Sequence, residues 1–70
     1  MAPDFQSIFT QAVGHHQAGR LDEAVACYSR VLGLKPDLAG VHHNLGNALW
    51  QLGKLGEAEA SYRRALAYQP

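Results

Sequence analysis

Apolar residues recur along this chain at the spacing of α-helix turns. In the second half, one set falls at offsets of four, seven, eight and eleven residues, a single stripe of a 3.6-residue period. Another stripe follows after Gly53, a residue that can end a helix in the left-handed conformation without steric cost. The two stripes comprise Val41, Leu45, Ala48, Leu49 and Leu52, then Ala58, Tyr62, Ala65 and Leu66. This pattern predicts two amphipathic helices joined by a short turn.

The first half of the chain predicts the same plan, with a break near Gly19. Asp4 and Asp37 each lie just before a predicted first helix, where a short acidic side chain favours an N-cap. The stripes of this half comprise Phe5, Ile8, Ala12 and His15, then Ala24, Tyr28, Val31 and Leu32. We therefore expect four helices.

The two halves are copies of one unit. Aligning residues 5–36 with residues 39–70 needs no gap and gives ten identities at an offset of 34 residues. The residues repeated 34 positions later are Gln17, Gly19, Leu21, Glu23, Ala24, Ala26, Tyr28, Arg30, Leu32 and Pro36. The sequence predicts an all-α fold in one domain, residues 1–70, with repeat one at residues 5–38 and repeat two at residues 39–70.

This organisation resembles the tetratricopeptide repeat, a helix-turn-helix unit of the same length. In the second unit the resemblance is carried by Leu45, Gly46, Ala58, Tyr62, Ala65 and Pro70. The first unit departs more from the family pattern and keeps Ala24, Tyr28 and Pro36. The resemblance implies a short right-handed superhelical segment whose first helices line a concave, protein-binding surface. We expect Gly46 and Ala58 to face each other where two helices approach closely.

The polar side of each first helix provides the candidate binding residues. At 100° per residue, His43, Asn47 and Trp50 lie within about 60° of one another and opposite Val41. With the neighbouring and matching places, the predicted peptide-binding residues are Phe9, Thr10, Val13, His16, Gln17, His43, Asn44, Asn47, Trp50 and Gln51. The family resemblance implies that Asn44 binds the backbone of a peptide.

The same residues indicate the chemistry of a partner. None of these places carries Lys or Arg, so we expect no clamp for a C-terminal carboxylate. Phe9, Val13 and Trp50 favour an apolar or amphipathic protein segment, because aromatic anchors carry much of the energy of interfaces. The alternative is that these three side chains only complete the packing between repeats.

Charge and composition exclude several classes of partner. Six Lys and Arg balance six Asp and Glu, without a basic block that would neutralise a phosphate backbone. No run approaches the roughly 20 apolar residues that a membrane-spanning helix requires. The start, Met1 to Asp4, lacks the features of a secretory signal, and the single Cys27 cannot form an internal disulfide. We expect a cytoplasmic protein that binds neither nucleic acid nor membranes.

The histidines do not form a predicted metal site. They occur as two adjacent pairs, His15 with His16 and His42 with His43, and neighbours on a helix point about 100° apart. His15 and His42 take places that are aromatic in the family pattern, so we expect half-buried packing residues there. No metal or other cofactor is expected.

No set of side chains predicts catalysis either. The acidic residues at the starts of the second helices interact favourably with the helix dipole. Glu59 and Arg63 have the spacing of a surface ion pair. Cys27 lacks a positioned base in the sequence and is expected to be a helix-surface or packing residue. We therefore expect a non-enzymatic protein-interaction module.

Two repeats are few for this kind of fold, because about three are commonly needed for stability. One expectation is that the chain is a piece of a longer protein or array. Another is that copies cap each other through the exposed last helix or by exchanging helices, which makes a homo-oligomer the expected state. Self-association is thus the alternative function, and a region attached to a catalytic domain outside this sequence is a third.

Overall fold

The computed structural model describes residues 4–69, which form four α-helices joined by short turns. These are α1 (Phe5–Gln17), α2 (Leu21–Leu34), α3 (Ala39–Gln51) and α4 (Leu55–Tyr68). The predictions of an all-α fold and of two helix-turn-helix units are confirmed. The start at Met1 to Pro3 and the predicted end of repeat two at Pro70 lie outside the described residues.

The two first helices differ at their N-termini, since a side chain caps α1 and none caps α3. Oδ1 of Asp4 accepts a hydrogen bond of 2.8 Å from the backbone N–H of Ser7, so Asp4 is the N-cap of α1 as predicted. The matching prediction for Asp37 is wrong. Leu38 occupies the N-cap position of α3, and no side chain caps this helix. Asp37 lies one residue too early, in the turn, to accept from the first N–H groups.

Each helix pair is closed by a glycine in the left-handed conformation. Gly19 and Gly53 both have φ of 80°, and each follows the last turn of a first helix. The next backbone N–H reaches back to the helix, from Arg20 to His15 O and from Lys54 to Leu49 O, both at 2.9 Å. The same turn therefore recurs 34 residues on and sends each second helix back along the first.

One apolar core extends through both repeats. Successive helices pack together, α1 on α2, α2 on α3 and α3 on α4. The buried residues of this core are Ile8, Ala12, Ala24, Cys27, Tyr28, Val31, Val41, Leu45, Ala48, Leu49 and Ala58. Most come from the predicted stripes, and Cys27 is a packing residue. Because α2 and α3 belong to different repeats, their contact joins the two units into one body.

The ring of Tyr62 on α4 lies directly over Gly46 on α3. A Cβ atom at this residue would lie 2.7 and 2.8 Å from two ring carbons of Tyr62, much less than any ordinary contact. The atoms nearest to Gly46 thus belong to Tyr62, while Ala58 is buried in the core, and the expectation that Ala58 faces Gly46 stays a prediction. Helical side chains lean toward the N-terminus, so the tyrosine one turn further along reaches back over the glycine.

Gly46→Ala is expected to lower the free energy of unfolding by about 1–3 kcal/mol, because its methyl group displaces the ring of Tyr62. That ring is held by its hydroxyl, which donates a hydrogen bond of 2.6 Å to Oδ1 of Asn47. Chemical denaturation measures the change. Gly14→Ala is the control, since a Cβ there meets nothing within 4 Å and alanine favours a helix interior. Two substitutions that stabilise the protein equally would contradict the close contact.

Candidate functional site

An open groove lies between the N-terminal halves of α1 and α3. We call it the α1–α3 groove; its volume is about 640 Å³ and its lining is formed by Phe5, Gln6, Phe9, Leu38, Ala39, Gly40, Val41, His43, Asn44 and Gln69. Phe5, Phe9 and Leu38 give it large apolar surfaces, while amides and one imidazole supply hydrogen-bonding groups. None of the lining residues is Asp, Glu, Lys or Arg. The groove therefore suits an uncharged, largely apolar ligand surface.

The aromatic side chains of the groove are held from behind. The ring of Phe9 packs against that of Tyr28, with centroids 6.1 Å apart and planes tilted by 52°. Tyr28 is fully buried, so it fixes one side of Phe9 while the other borders the groove. Phe5 is approached by a cation, since Nζ of Lys35 lies 5.5 Å from the centroid of its ring. The rings are thus positioned by other parts of the fold.

A smaller cavity of about 250 Å³ adjoins the C-terminal part of α1 and the middle of α3, and it is lined by Val13, His16, Gln17, Tyr28 and Asn44. Asn44 lines both this cavity and the α1–α3 groove. It is partly buried, and its amide can donate and accept hydrogen bonds. The residue predicted to bind a peptide backbone therefore lies where the two spaces meet.

Hydrogen bonds through His16 connect three helices. Its Nε2 lies 2.9 Å from Oε1 of Gln51 on α3, and its Nδ1 lies 3.0 Å from the hydroxyl of Tyr28 on α2. With the Gln51 oxygen as acceptor, the neutral imidazole carries its proton on Nε2, and the Tyr28 hydroxyl donates to Nδ1. The ring also meets that of Tyr28 edge-on, with centroids 5.8 Å apart. His16 therefore ties the C-terminal ends of the two first helices together.

The structure brings together only part of the predicted binding set. The larger groove includes Phe9, His43 and Asn44, and the smaller cavity includes Val13, His16, Gln17 and again Asn44. Four others border neither space: Thr10, Asn47, Trp50 and Gln51. Gln51 still joins the site by its bond to His16.

The remaining three have other surroundings. The hydroxyl of Thr10 donates to the carbonyl of Gln6 on its own helix, at 3.0 Å. Asn47 accepts from the hydroxyl of Tyr62 on α4. Trp50 lies at the C-terminal end of α3 with 61% of its surface exposed, away from the lining of the larger groove. Its exposure leaves the ring available to a ligand that extends that far.

Sequence reasoning missed several residues that line the groove. Phe5 and Val41 were assigned to the core stripes, yet both also border the open space. Leu38 precedes its helix and Gln69 follows α4, so neither belongs to a periodic stripe. An apolar residue at the N-cap position of α3 was the signal for Leu38, because that position usually carries a polar side chain.

His42 and His15 contact other parts of the fold instead of the two cavities. His42 is only 6% exposed, so the expectation of a half-buried residue is corrected to a buried one. Its Nε2–H donates to the carbonyl of Pro36 at 2.8 Å, and its ring stacks on Tyr68 with centroids 5.5 Å apart. His15 is partly buried, and its Nδ1 accepts from Nε of Arg20 at 3.0 Å. Within residues 4–69, no three His, Cys, Asp or Glu side chains are grouped to hold a metal ion.

Glu59 and Arg63 form the predicted surface ion pair on α4. Among the described helices, none has the length and apolar character needed to cross a membrane.

Comparisons with known proteins identify a repeat family. A family model described as TPR repeat matches residues 15–53, and a model described as tetratricopeptide repeat matches residues 39–70. The two matches together span the second helix of the first unit and all described residues of the second. No curated protein sequence matches the chain.

The buried hydroxyl of Tyr28 predicts a loss of stability in alkali. Burial raises the pKa of Tyr28 above its usual value of 10.0, because the phenolate is poorly solvated there. Above about pH 10 the unfolded chain therefore releases this proton more readily than the folded chain, and stability falls with rising pH. We expect Tyr28→Phe to remove this fall, at most about 1.4 kcal/mol per pH unit, in urea unfolding between about pH 9 and pH 12. Equal slopes for the two proteins would contradict it.

Proposed function

Because this chain belongs to the tetratricopeptide repeat family, whose repeats mediate protein–protein interactions, we propose that its α1–α3 groove binds an apolar or amphipathic segment of a partner protein. The observation that carries the proposal is the lining of the groove. Phe5, Phe9 and Leu38 give it large apolar surfaces, amide and imidazole groups also line it, and no ionised carboxylate or ammonium belongs to it. Removing such apolar surface from water favours association with another apolar surface.

The size of the groove suits the binding of a few side chains from a partner protein. A volume of about 640 Å³ lies within the usual range of ligand pockets, about 300–1,000 Å³. It accommodates a few apolar side chains of a partner and not a complete folded domain. We therefore assign the main energetic role to Phe5, Phe9 and Leu38, against which those side chains would pack.

We assign to Asn44 the role of forming hydrogen bonds with the partner's backbone. A segment that crosses from the groove to the smaller cavity buries peptide N–H and C=O groups, and these groups cost free energy unless they find hydrogen bonds. An amide side chain can accept from one and donate to the other. Asn44 borders both spaces, whereas Asn47 is already engaged by Tyr62.

In this proposal the protein acts by binding, in the cytoplasm, without a cofactor and without catalysis. Three side chains of reactive types have structural surroundings, which supports a role without catalysis. Cys27 is buried in the core, the Glu59 carboxylate pairs with Arg63, and His15 accepts a hydrogen bond from Arg20.

Self-association of the chain is a second candidate function. Leu55 and Leu66 on α4 are 59% and 74% exposed. The residues 34 positions earlier, Leu21 and Leu32 on α2, are partly buried against the core. The difference leaves an apolar surface on α4 that another copy can cover.

A charge placed in the groove tests the main proposal. Peptides are first selected from a random displayed library on the protein at low micromolar concentration, and their affinities are then measured by fluorescence anisotropy. We expect apolar or amphipathic peptides to be selected and Gly40→Glu to weaken them at least about tenfold, because it brings a carboxylate to the apolar lining. A Cβ at Gly40 meets nothing within 4 Å, and an acidic residue in the first turn favours the helix, so the fold should persist.

Gly56→Glu is the matched control for this experiment. Gly56 is likewise the second residue of its helix with open space around it, but it does not line the groove. Its affinities should stay within about twofold, while Asn44→Ala should weaken binding about fivefold through one lost hydrogen bond. Equal binding by the Gly40 and Gly56 variants would place the ligand elsewhere. Weaker binding by Trp50→Ala at an unchanged melting temperature would extend the site to the end of α3.

A further inference from the structure

Equivalent residues on the two second helices, α2 and α4, differ in their exposure to solvent. On α2, which packs against both α1 and α3, these positions are Leu21, Val25 and Leu32, and all three are partly buried against the core. The residues 34 positions later on α4 are Leu55, Glu59 and Leu66, and all three are exposed. The contact between α2 and α3 therefore indicates how the outward face of α4 can be covered.

Stacking of a second copy through its α1 does not fit this face. On α3, Val41, Leu45 and Ala48 are buried in the core that α2 and α3 share. The matching residues of α1 are Ser7, Gln11 and Gly14, and all are exposed. Placing them on α4 would bury the hydroxyl of Ser7 and the amide of Gln11 against leucine side chains, which costs free energy. Copies are therefore not expected to add head to tail.

The outward face of α4 is complementary to itself when it is reversed. Leu55, Glu59, Arg63 and Leu66 lie within about 80° of one another around the helix, and we call them the α4 strip. Reading the strip backwards exchanges the two leucines and exchanges Glu59 with Arg63. An antiparallel neighbour therefore places leucine against leucine and carboxylate against guanidinium. A parallel neighbour in register would place Glu59 against Glu59.

We propose that two copies of this chain pair through the α4 strip, antiparallel and about a two-fold axis near the middle of α4. Glu59 of each copy then lies beside Arg63 of the other, in addition to the pair that the two residues form within one chain. The pairing rests on the second candidate function and adds its surface, its direction and its charge contacts. Two-fold pairing is closed, so it covers both strips without generating a fibre.

The size of the strip sets the strength of the pair. A helix of 14 residues is about 21 Å long, and each copy offers two leucines with a pair of charges. The buried area is therefore well below the roughly 1,600 Å² of a stable interface. We expect dissociation constants on the order of 0.1 to 1 mM and a dependence on salt, because the ion pairs are exposed.

Charge reversal tests the direction of pairing. Glu59→Arg and Arg63→Glu each bring like charges together in an antiparallel pair of identical copies. An equal mixture of the two variants restores opposite charges at both contacts, and so does the double variant. Sedimentation equilibrium up to 2 mM protein should show each single variant self-associating about tenfold more weakly than the unchanged protein, with recovery in the mixture.

The controls are the same charge changes on the other side of the helix. Glu57 and Arg64 lie roughly 100° to 180° away from the residues of the strip, so Glu57→Arg and Arg64→Glu should not alter self-association. Circular dichroism verifies that every variant is folded. Leu66→Glu, at a side chain that is 74% exposed, removes the apolar contact without disturbing the core and should also weaken the pair.

The possible results distinguish failure of the α4 strip as the contact surface from failure of self-association as a whole. A monomer throughout the concentration range overturns both the pairing and the second candidate function. A dimer that is unchanged by Leu66→Glu and by the charge reversals leaves self-association standing, through helix exchange or another face, and overturns the α4 strip. A dimer weakened by both single variants but not restored in their mixture overturns the antiparallel direction.

Discussion

The packing of α2 against α3 is the contact on which the rest of this structure depends. A chain of 70 residues can hide only about 60% of the surface that it exposes when unfolded, so two separate cores would each be too small. The single Cys27 provides no internal disulfide to compensate. Because α2 ends one repeat and α3 begins the next, Tyr28 and Val31 share one core with Val41 and Leu45. Burial across this contact makes the two hairpins a single folded unit.

The groove follows from the same contact. α1 and α3 both pack on α2, and the space between their N-terminal halves remains open. At their C-terminal ends the two helices are joined instead, by the hydrogen bond from His16 to Gln51. The space between α1 and α3 therefore has an apolar opening at one end and a polar connection at the other, with Asn44 between them. This division suits the proposed ligand, a segment with an apolar anchor and a hydrogen-bonding backbone.

The two repeats use equivalent tyrosines with different partners. The Tyr28 hydroxyl bonds to His16, and the Tyr62 hydroxyl, 34 residues later, bonds to Asn47. In each case a second helix holds a polar residue of the first helix of its own repeat. The ring of Tyr62 also covers Gly46, whereas the matching position in the first repeat is the buried Ala12. A shared framework thus tolerates local differences at equivalent positions of the two repeats.

Sequence alone determined the helices, their order and the repeat, because these follow from local properties. The 3.6-residue period fixes which faces are apolar, and glycine is the residue that turns most easily through a positive φ, as Gly19 and Gly53 do. It also placed Phe9, His43 and Asn44 on the side of the helices that borders the groove. Asp37 shows the limit of this reasoning, since a shift of one residue in the start of α3 removes its capping role.

The tertiary structure alone decided which candidate residues share a space. Thr10 and Trp50 lie on the predicted faces but outside the cavities, while Leu38 and Gln69 join the lining from beyond the helix ends. The partners of Gly46, His16 and Asn47 were equally hidden from the periodicity. The physical reason is that a helical period fixes an angle around one axis. The crossing of two helices and the reach of each side chain depend on packing between segments that are distant in sequence.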